Sequence, residues 1–389
     1  MPHTENLPLL LLLQSSCFTI TLTLAVVLLM SRWHLRSSSR AYETSRWLLI
    51  AALTLYVIHY LLQMLFGFRA RGEDVGALVN ILFYMPAALL LACATLRIST
   101  GQRYLRRFVT WSTVGMGLNY VLFVVGICLY GSIHMPWILE AMEVIYVALI
   151  AFMIFNPNGE LRRMNRKIEE ETADDQTPYR LYMRSGTILL YAMGFIGALS
   201  IFSTLTVVCV ALFFLLALIF YVVSFVSLGY GIQSVSSVVD DDNQTTQAEG
   251  ADAAAAESEQ VNATQHLSPE LVDQIRTAIA QWRQAKGYGS QNLTIVSMAE
   301  LLGVSKRQFT QYLLEHEGST FRVWLSNIRI EEAKRMLLTE ADYSIESIAE
   351  LCGFSSLSWM REKFKVSTGM TPAEWREAKR NEQIAAISI

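Results

Sequence analysis

Charge is scarce in this chain. Asp, Glu, Lys and Arg make up 17% of its 389 residues, against about 25% in an ordinary soluble domain. The scarcity is uneven: apolar runs dominate before residue 233, and no Lys or Arg occurs between Arg184 and Arg276. A net charge of −3 excludes a bulk polycation that holds nucleic acid by charge alone. Cysteine is equally thin. Cys17, Cys93, Cys128, Cys209 and Cys352 have neither metal-site spacing nor a disulfide framework, and four of them lie in apolar runs as small hydrophobes. There is also no His-Glu-x-x-His pair, nucleophile elbow or phosphate loop. These absences speak against a metal centre, a bound cofactor and an enzyme.

What is present is hydrophobicity, at 53% of residues, enough length for two or three domains, and a sharp division along the chain. Apolar stretches over about 7–30, 47–68, 75–96, 108–130 and 133–155 each approach the roughly 20 residues that cross a bilayer. A sixth, 186–231, is twice as long and must fold back near 200–204. Seven spans result. The first is not read as a cleavable signal peptide, because it lacks a basic n-region and its apolar run is too long.

Basic residues set the orientation. Arg32, Arg36, Arg40 and Arg46 follow span 1; Arg97, Arg103, Arg106 and Arg107 follow span 3; Arg162, Arg163, Arg166, Lys167, Arg180 and Arg184 follow span 5. The opposite side has only Arg69 and Arg71, balanced by Glu73 and Asp74. The N-terminus is therefore expected outside and the C-terminal part in the cytoplasm.

Polar residues within the spans cluster by depth. At about 1.5 Å of rise per residue, His59, Asn119 and Glu143 lie roughly 14–16 Å below the outer surface, with Gln14, Gln63, Asn80 and Glu140 above them. Glu140 and Glu143 share a helix face. A carboxylate at that depth is costly unless paired or wetted. One reading is a sensor cavity open to the outside, lined by His59, Gln63, Asn119, Glu140 and Glu143, with His59 and Glu143 as a pair. The other is interhelical hydrogen bonding that holds the bundle together.

From 233 to 268 the composition turns to Ser, Gln, Asn, Ala and acid, the signature of a solvated tether. A soluble part starts near Pro269 with a helix whose Leu271, Ile275, Ile279 and Trp282 recur at helical spacing. An internal repeat follows at an offset of fifty residues: 294–305 aligns with 344–355, and seven of the twelve positions are identical. Each copy has a hydroxyl N-cap (Thr294, Ser344), a glycine suited to a left-handed helix end (Gly303, Gly353) and a second hydroxyl expected to cap the next helix (Ser305, Ser355). Ala299 and Ala349 let two helices cross closely. This is the helix-turn-helix pattern, in which the second helix enters the major groove.

In the first copy Phe309, Tyr312 and Leu313 should face inward, leaving Lys306, Arg307, Thr310 and Gln311 outward. In the second, Met360 and Phe364 should face inward, Ser358, Arg361, Glu362 and Lys365 outward, with Leu357 and Trp359 near the rim. Arg suits guanine, Gln suits adenine, and Glu can accept from cytosine N4. Residues 321–338 carry apolar residues at helical spacing and should act as a rigid spacer.

The runs LSNIRIEEAKRML (325–337), IESIAELCGF (345–354) and FKVSTGMTPAEWR (364–376) carry a resemblance. Residues from about 269 to 380 resemble the AraC-type DNA-binding domain. The resemblance implies a seven-helix domain whose two recognition helices enter successive major-groove segments from one face of DNA. By position, Arg307, Thr310 and Gln311 would read bases in the first unit, and Ser358 and Glu362 in the second. Glu362 departs from the basic residue common there. From Leu267 onward Lys+Arg and Asp+Glu are equal in number, so affinity is expected to be modest and helped by dimerisation.

The expected architecture is all-α: a seven-helix transmembrane bundle (1–232), an acidic disordered linker (233–268) and a soluble all-α domain with two helix-turn-helix units (269–389). The expected function is a membrane-tethered one-component transcription regulator in a bacterial inner membrane. Its expected partners are double-stranded DNA, membrane lipid, an unidentified small-molecule or membrane signal, and a second copy of the chain. Two rivals stay open: a transporter or intramembrane enzyme with a fused DNA-binding output, and a passive anchor.

Overall fold

Apolar runs punctuated by capping residues fold as helices throughout. The computed structural model describes residues 7–31, 39–68, 72–199, 204–229, 238–239, 266–340 and 342–387. Among these there is no β-strand, only an isolated antiparallel bridge between Thr172 and Thr294. By its internal contacts the chain forms two units. One is Met1–Met164 with Thr177–Ile232; the other is Asn165–Gln176 with Gln233–Ile389. The grouping of a short internal segment with the C-terminal part has no counterpart in composition or periodicity.

The first unit holds α1 (Leu7–Ser31), α2 (Arg40–Phe66), α3 (Glu73–Ser99), α4 (Gln102–Tyr130), α5 (Pro136–Phe155), the start of α6 (Asn158–Glu171), α7 (Thr177–Leu199) and α8 (Thr204–Leu228). Their ends are chemically marked. The Ser39 hydroxyl caps α2, Gly67 and Gly131 end α2 and α4 in the left-handed conformation, and Pro136 opens α5, where its missing N–H costs nothing. Among the described residues six helices are long and apolar enough to cross a membrane by length and composition. Helix α7 is not one of them; Arg180 and Arg184 occupy its first turns. The expected fold-back at 200–204 falls between α7 and α8, and residues 200–203 lie outside the described residues. So does the expected linker at 233–268, apart from 238–239 and 266–268.

In this unit α2 packs on α1 and α3, and α7 on α8. Polar groups inside it are mostly joined. Tyr221 OH lies 2.8 Å from Thr95 Oγ1 and 2.9 Å from Tyr182 OH. Gly186 makes that approach fit, since a Cβ there would come within 2.9 Å of Thr95 Oγ1. Arg46 is fully buried, ion-paired with Glu43 at 2.6 Å and donating to Leu28 O at 3.2 Å.

The second unit holds α9 (Pro269–Gln284), a 3-10 turn (Gly287–Gly289), α10 (Ile295–Leu301), α11 (Lys306–His316), α12 (Phe321–Thr339), α13 (Ile345–Leu351), α14 (Leu357–Thr368) and α15 (Pro372–Ile387). Helix α12 joins two cores. Its Phe321, Trp324, Leu325 and Ile328 pack with Phe309, Tyr312, Leu313 and Ile275. Its Ile330, Ala333, Met336 and Leu337 pack with Ile348, Met360 and Phe364. The expected spacer is thus a single helix whose two halves each found a helix-turn-helix core.

Candidate nucleic-acid interface and buried polar cluster

Each helix-turn-helix pair is built from its caps. In the first, Thr294 and Ser297 form a reciprocal capping box on α10. Gly303 turns the chain at φ 71°. Ser305 then caps α11, accepting from Gln308 N at 3.2 Å while Gln308 Oε1 accepts from Ser305 N at 2.9 Å. In the second, Ser344 caps α13 and Gly353 turns at φ 81°. The cap of α14 corrects the sequence expectation. Ser356 performs it, accepting from Trp359 N at 3.1 Å, while the Ser355 hydroxyl accepts from Asp175 N at 3.2 Å.

A second correction concerns the face of α14. Trp359, expected near the rim, is 4% exposed. Its Nε1 donates to Ala173 O at 3.2 Å, and Lys363 Nζ and Arg322 Cζ lie 4.2 and 4.8 Å from its ring centre. Phe309, Tyr312, Leu313, Met360 and Phe364 are buried as expected.

Of the outward residues, Arg307, Ser358, Arg361, Glu362 and Lys365 are exposed, and Lys306, Thr310 and Gln311 are half-buried. Thr310 Oγ1 donates back to Lys306 O at 2.8 Å, and Gln311 Nε2 donates to Glu315 Oε1 at 2.9 Å. That hydrogen bond holds the Glu315 carboxyl below its ordinary range. Lys306, first residue of α11, pairs with Glu171 at 2.8 Å. Glu362 lies 3.6 Å from Lys363.

Arg329, in the middle of α12, received no role from sequence reasoning. It is 1% exposed, donates to Tyr288 O at 3.1 Å and Ser290 O at 2.8 Å, and lies 3.8 Å from Asp174. Burial lowers its pKa, and Asp174 opposes that shift. Nearby, burial pushes the Cys352 thiol up to about 12, so it behaves as a core residue.

The polar residues expected in a sensor cavity are distributed as follows. His59, Gln63 and Asn119 are buried, Glu143 is half-buried and Glu140 is exposed. His59 is enclosed by the rings of Tyr60, Phe83 and Tyr84. Gln63 reaches Asn80 at 3.4 Å, and Asn119 donates to Met142 O at 2.8 Å. No hydrogen bond reaches His59 Nδ1 or Glu143 Oε1, both buried atoms. A cavity of about 30 Å³, room for about one water, lies elsewhere in the unit, beside Thr95, Met183 and Gly186. No group of His, Cys, Asp and Glu among the described residues could hold a metal ion.

The family model described as a helix-turn-helix domain matches residues 298–378. Curated relatives include the transcriptional activator NphR of a Rhodococcus species, 34% identical over 86 residues, which are 22% of this chain and 25% of that one. The HTH-type transcriptional regulator YobQ of Bacillus subtilis is 31% identical over 86 residues, 22% of this chain and 35% of that one. Among solved structures, the DNA-binding domain of AdpA in complex with a target DNA is 29% identical. It is matched over 28% of this chain and 94% of that chain, with a TM-score of 0.26. The chain thus spans 25% and 35% of the lengths of these two curated relatives. Residues 298–378 are a helix-turn-helix domain of the AraC type.

Proposed function

We propose that this chain is a one-component transcription regulator held in a bacterial inner membrane, which reads double-stranded DNA in response to a signal at that membrane. The carrying observation is the pair of recognition helices, α11 and α14, each capped by a serine and founded on opposite halves of α12. The 19 residues of α12 span roughly 28 Å, close to the roughly 34 Å turn that separates successive major-groove segments. Arg307 then suits guanine, Gln311 adenine and Glu362 cytosine, with Thr310 and Ser358 beside them. Lys306, Arg361 and Lys365 suit phosphates.

Residence in the membrane is supported by the inverted polarity of α4. Its buried positions are Phe108, Ser112, Asn119 and Gly126, while Trp111, Val114, Leu118, Val121, Val124 and Leu129 are more than half exposed. Such a surface is untenable in water and ordinary in lipid. Seven spans, with the N-terminus outside and the C-terminal domain cytoplasmic, fit the basic-residue asymmetry. Within the bundle, His59, Gln63, Asn119, Glu140 and Glu143 are the sensing residues. Buried atoms of four of them lack partners (His59 Nδ1, Gln63 Oε1, Asn119 Oδ1, Glu143 Oε1), and such atoms call for water or a ligand. A homodimer would compensate for the balanced charge of the DNA-reading domain.

Reporter fusions test the topology on which the reading depends. A reporter active only in the cytoplasm should work after Tyr230 and fail after Phe68. The reverse pair of results would place the DNA-reading domain away from DNA and overturn the proposal.

A further inference from the structure

The segment 165–176, the second half of α6 and the residues that lead into α7, is built into the unit that carries the two helix-turn-helix pairs. Thr172, Ala173, Asp174 and Gln176 are buried, and Ala173 belongs to the first helix-turn-helix core. Its contacts fall at the ends of the DNA-reading helices. Thr172 bridges Thr294, the cap of α10. Glu171 pairs with Lys306, the first residue of α11, at 2.8 Å. Asp175 accepts from Ser356, the cap of α14, at 3.5 Å, and its backbone N–H donates to Ser355. Ala173 O takes the Trp359 indole N–H.

Resting on the proposed function, we infer that this acidic segment is an autoinhibitory clamp. It places carboxylates where DNA phosphates would meet the recognition helices, and the domain reads DNA once the segment is displaced. Three physical points carry this. Recognition helices meet DNA through their N-terminal residues, and those are the residues engaged here. Helix N-termini attract anions, so a carboxylate at the start of α14 stands in for a phosphate. The segment also touches both helix-turn-helix pairs, which a strut completing one core would not do. Thr177, the next residue, opens α7, so chain continuity lets a shift in that helix pull on the clamp.

The test uses the full chain in lipid nanodiscs and a duplex of roughly 40 base pairs, about four helical turns, enriched from a random pool by the same chain. Glu171→Gln removes the charge that faces Lys306 and keeps the shape of the side chain. It should tighten binding severalfold and steepen the salt slope by about one, the value for one added phosphate contact. Thr172→Cys with Thr294→Cys guards against a folding artefact, because residues opposite one another in an antiparallel bridge lie about 4.5–5.5 Å apart, within disulfide reach. Oxidation should suppress DNA binding and reduction restore it. The clamp is overturned if Glu171→Gln leaves affinity and slope unchanged, or if the oxidised pair binds as well as the reduced one. If no form of the chain, wild-type included, enriches any sequence, the DNA-reading function fails as well. If wild-type enriches a sequence but neither variant responds, the clamp alone fails.

Discussion

Arg329 and Asp174 face each other at 3.8 Å with both side chains nearly sealed from solvent, at 1% and 6% exposure. The arginine also holds Tyr288 O and Ser290 O, so one guanidinium ties α12, the 3-10 turn and the 165–176 segment together. Removing one partner of a buried pair costs about 3–5 kcal/mol. Arg329→Ala should fall at the upper end of that range, since it strands two carbonyls and a carboxylate. Asp174→Ala should fall at the lower end, because the arginine keeps its carbonyl bonds. Arg329→Met combined with Asp174→Leu should recover much of the loss. Hydrogen exchange of α12 amides in the full chain measures all three. Equal protection in wild-type and Arg329→Ala would remove Arg329 from the core of the domain.

The two repeat glycines are not equivalent. Both are left-handed, but a Cβ on Gly303 would meet nothing within 4 Å, whereas one on Gly353 would clash with the backbone oxygen of Tyr288. Gly303→Ala should therefore cost only the left-handed penalty of about 1–2 kcal/mol. Gly353→Ala must also displace backbone and should destabilise the second helix-turn-helix pair markedly more. Local exchange at α10 and α11 for Gly303→Ala and at α13 and α14 for Gly353→Ala compares them, and similar losses would contradict the close approach at Gly353.

Arg307 and Lys365 are both exposed and are assigned different work. Arg307→Ala should cost roughly 1–3 kcal/mol at a cognate site and relax specificity at one base pair. Lys365→Ala should weaken every sequence alike and lower the salt slope by about one. Binding measured across a library of single-base variants separates the two. If both substitutions rescale all sequences alike, Arg307 is not a base reader.

Glu143→Gln keeps the shape of the side chain and removes its ability to ionise. If Glu143 and His59 are sensing residues, this variant should block or lock the response while the protein stays expressed and DNA-competent. A reporter gene driven by the regulated promoter is the readout. An unaltered response would favour hydrogen bonds that merely hold the bundle.

A good part of this was legible in the sequence. The fifty-residue repeat located both helix-turn-helix pairs, because caps, alanines and glycines at fixed spacing encode local geometry that needs no distant partner. The apolar face of α12 was equally readable at helical spacing. What escaped depends on tertiary contact. Ser355 and Ser356 are adjacent hydroxyls, and only the bond from Asp175 N decides which one caps α14. Trp359 is likewise drawn inward by a distant partner, Ala173 O. Arg329 looked like any charged residue of a surface helix until Tyr288, Ser290 and Asp174 surrounded it. The segment 165–176 read as an ordinary loop between spans, since its partners lie more than a hundred residues away.

A tether of 36 residues, if flexible, has an r.m.s. span of roughly 30–35 Å and cannot transmit a rotation of the last span. Lengthening 233–268 by a dozen Gly/Ser residues should thus change regulation only slightly. Loss of the response in an intact, membrane-bound protein would point to rigid coupling through the alanine run at 253–256.

The central claim is that a membrane-held chain reads DNA by sequence, and a genome-wide map of DNA crosslinked to the full-length protein tests it most directly. Discrete sites are expected, sharing a motif of two half-sites about 10–10.5 base pairs apart, and lost or broadened with Arg307→Ala while the protein remains in the membrane fraction. Uniform background with no shared motif, or occupied sites only when the protein is released from the membrane, would contradict it.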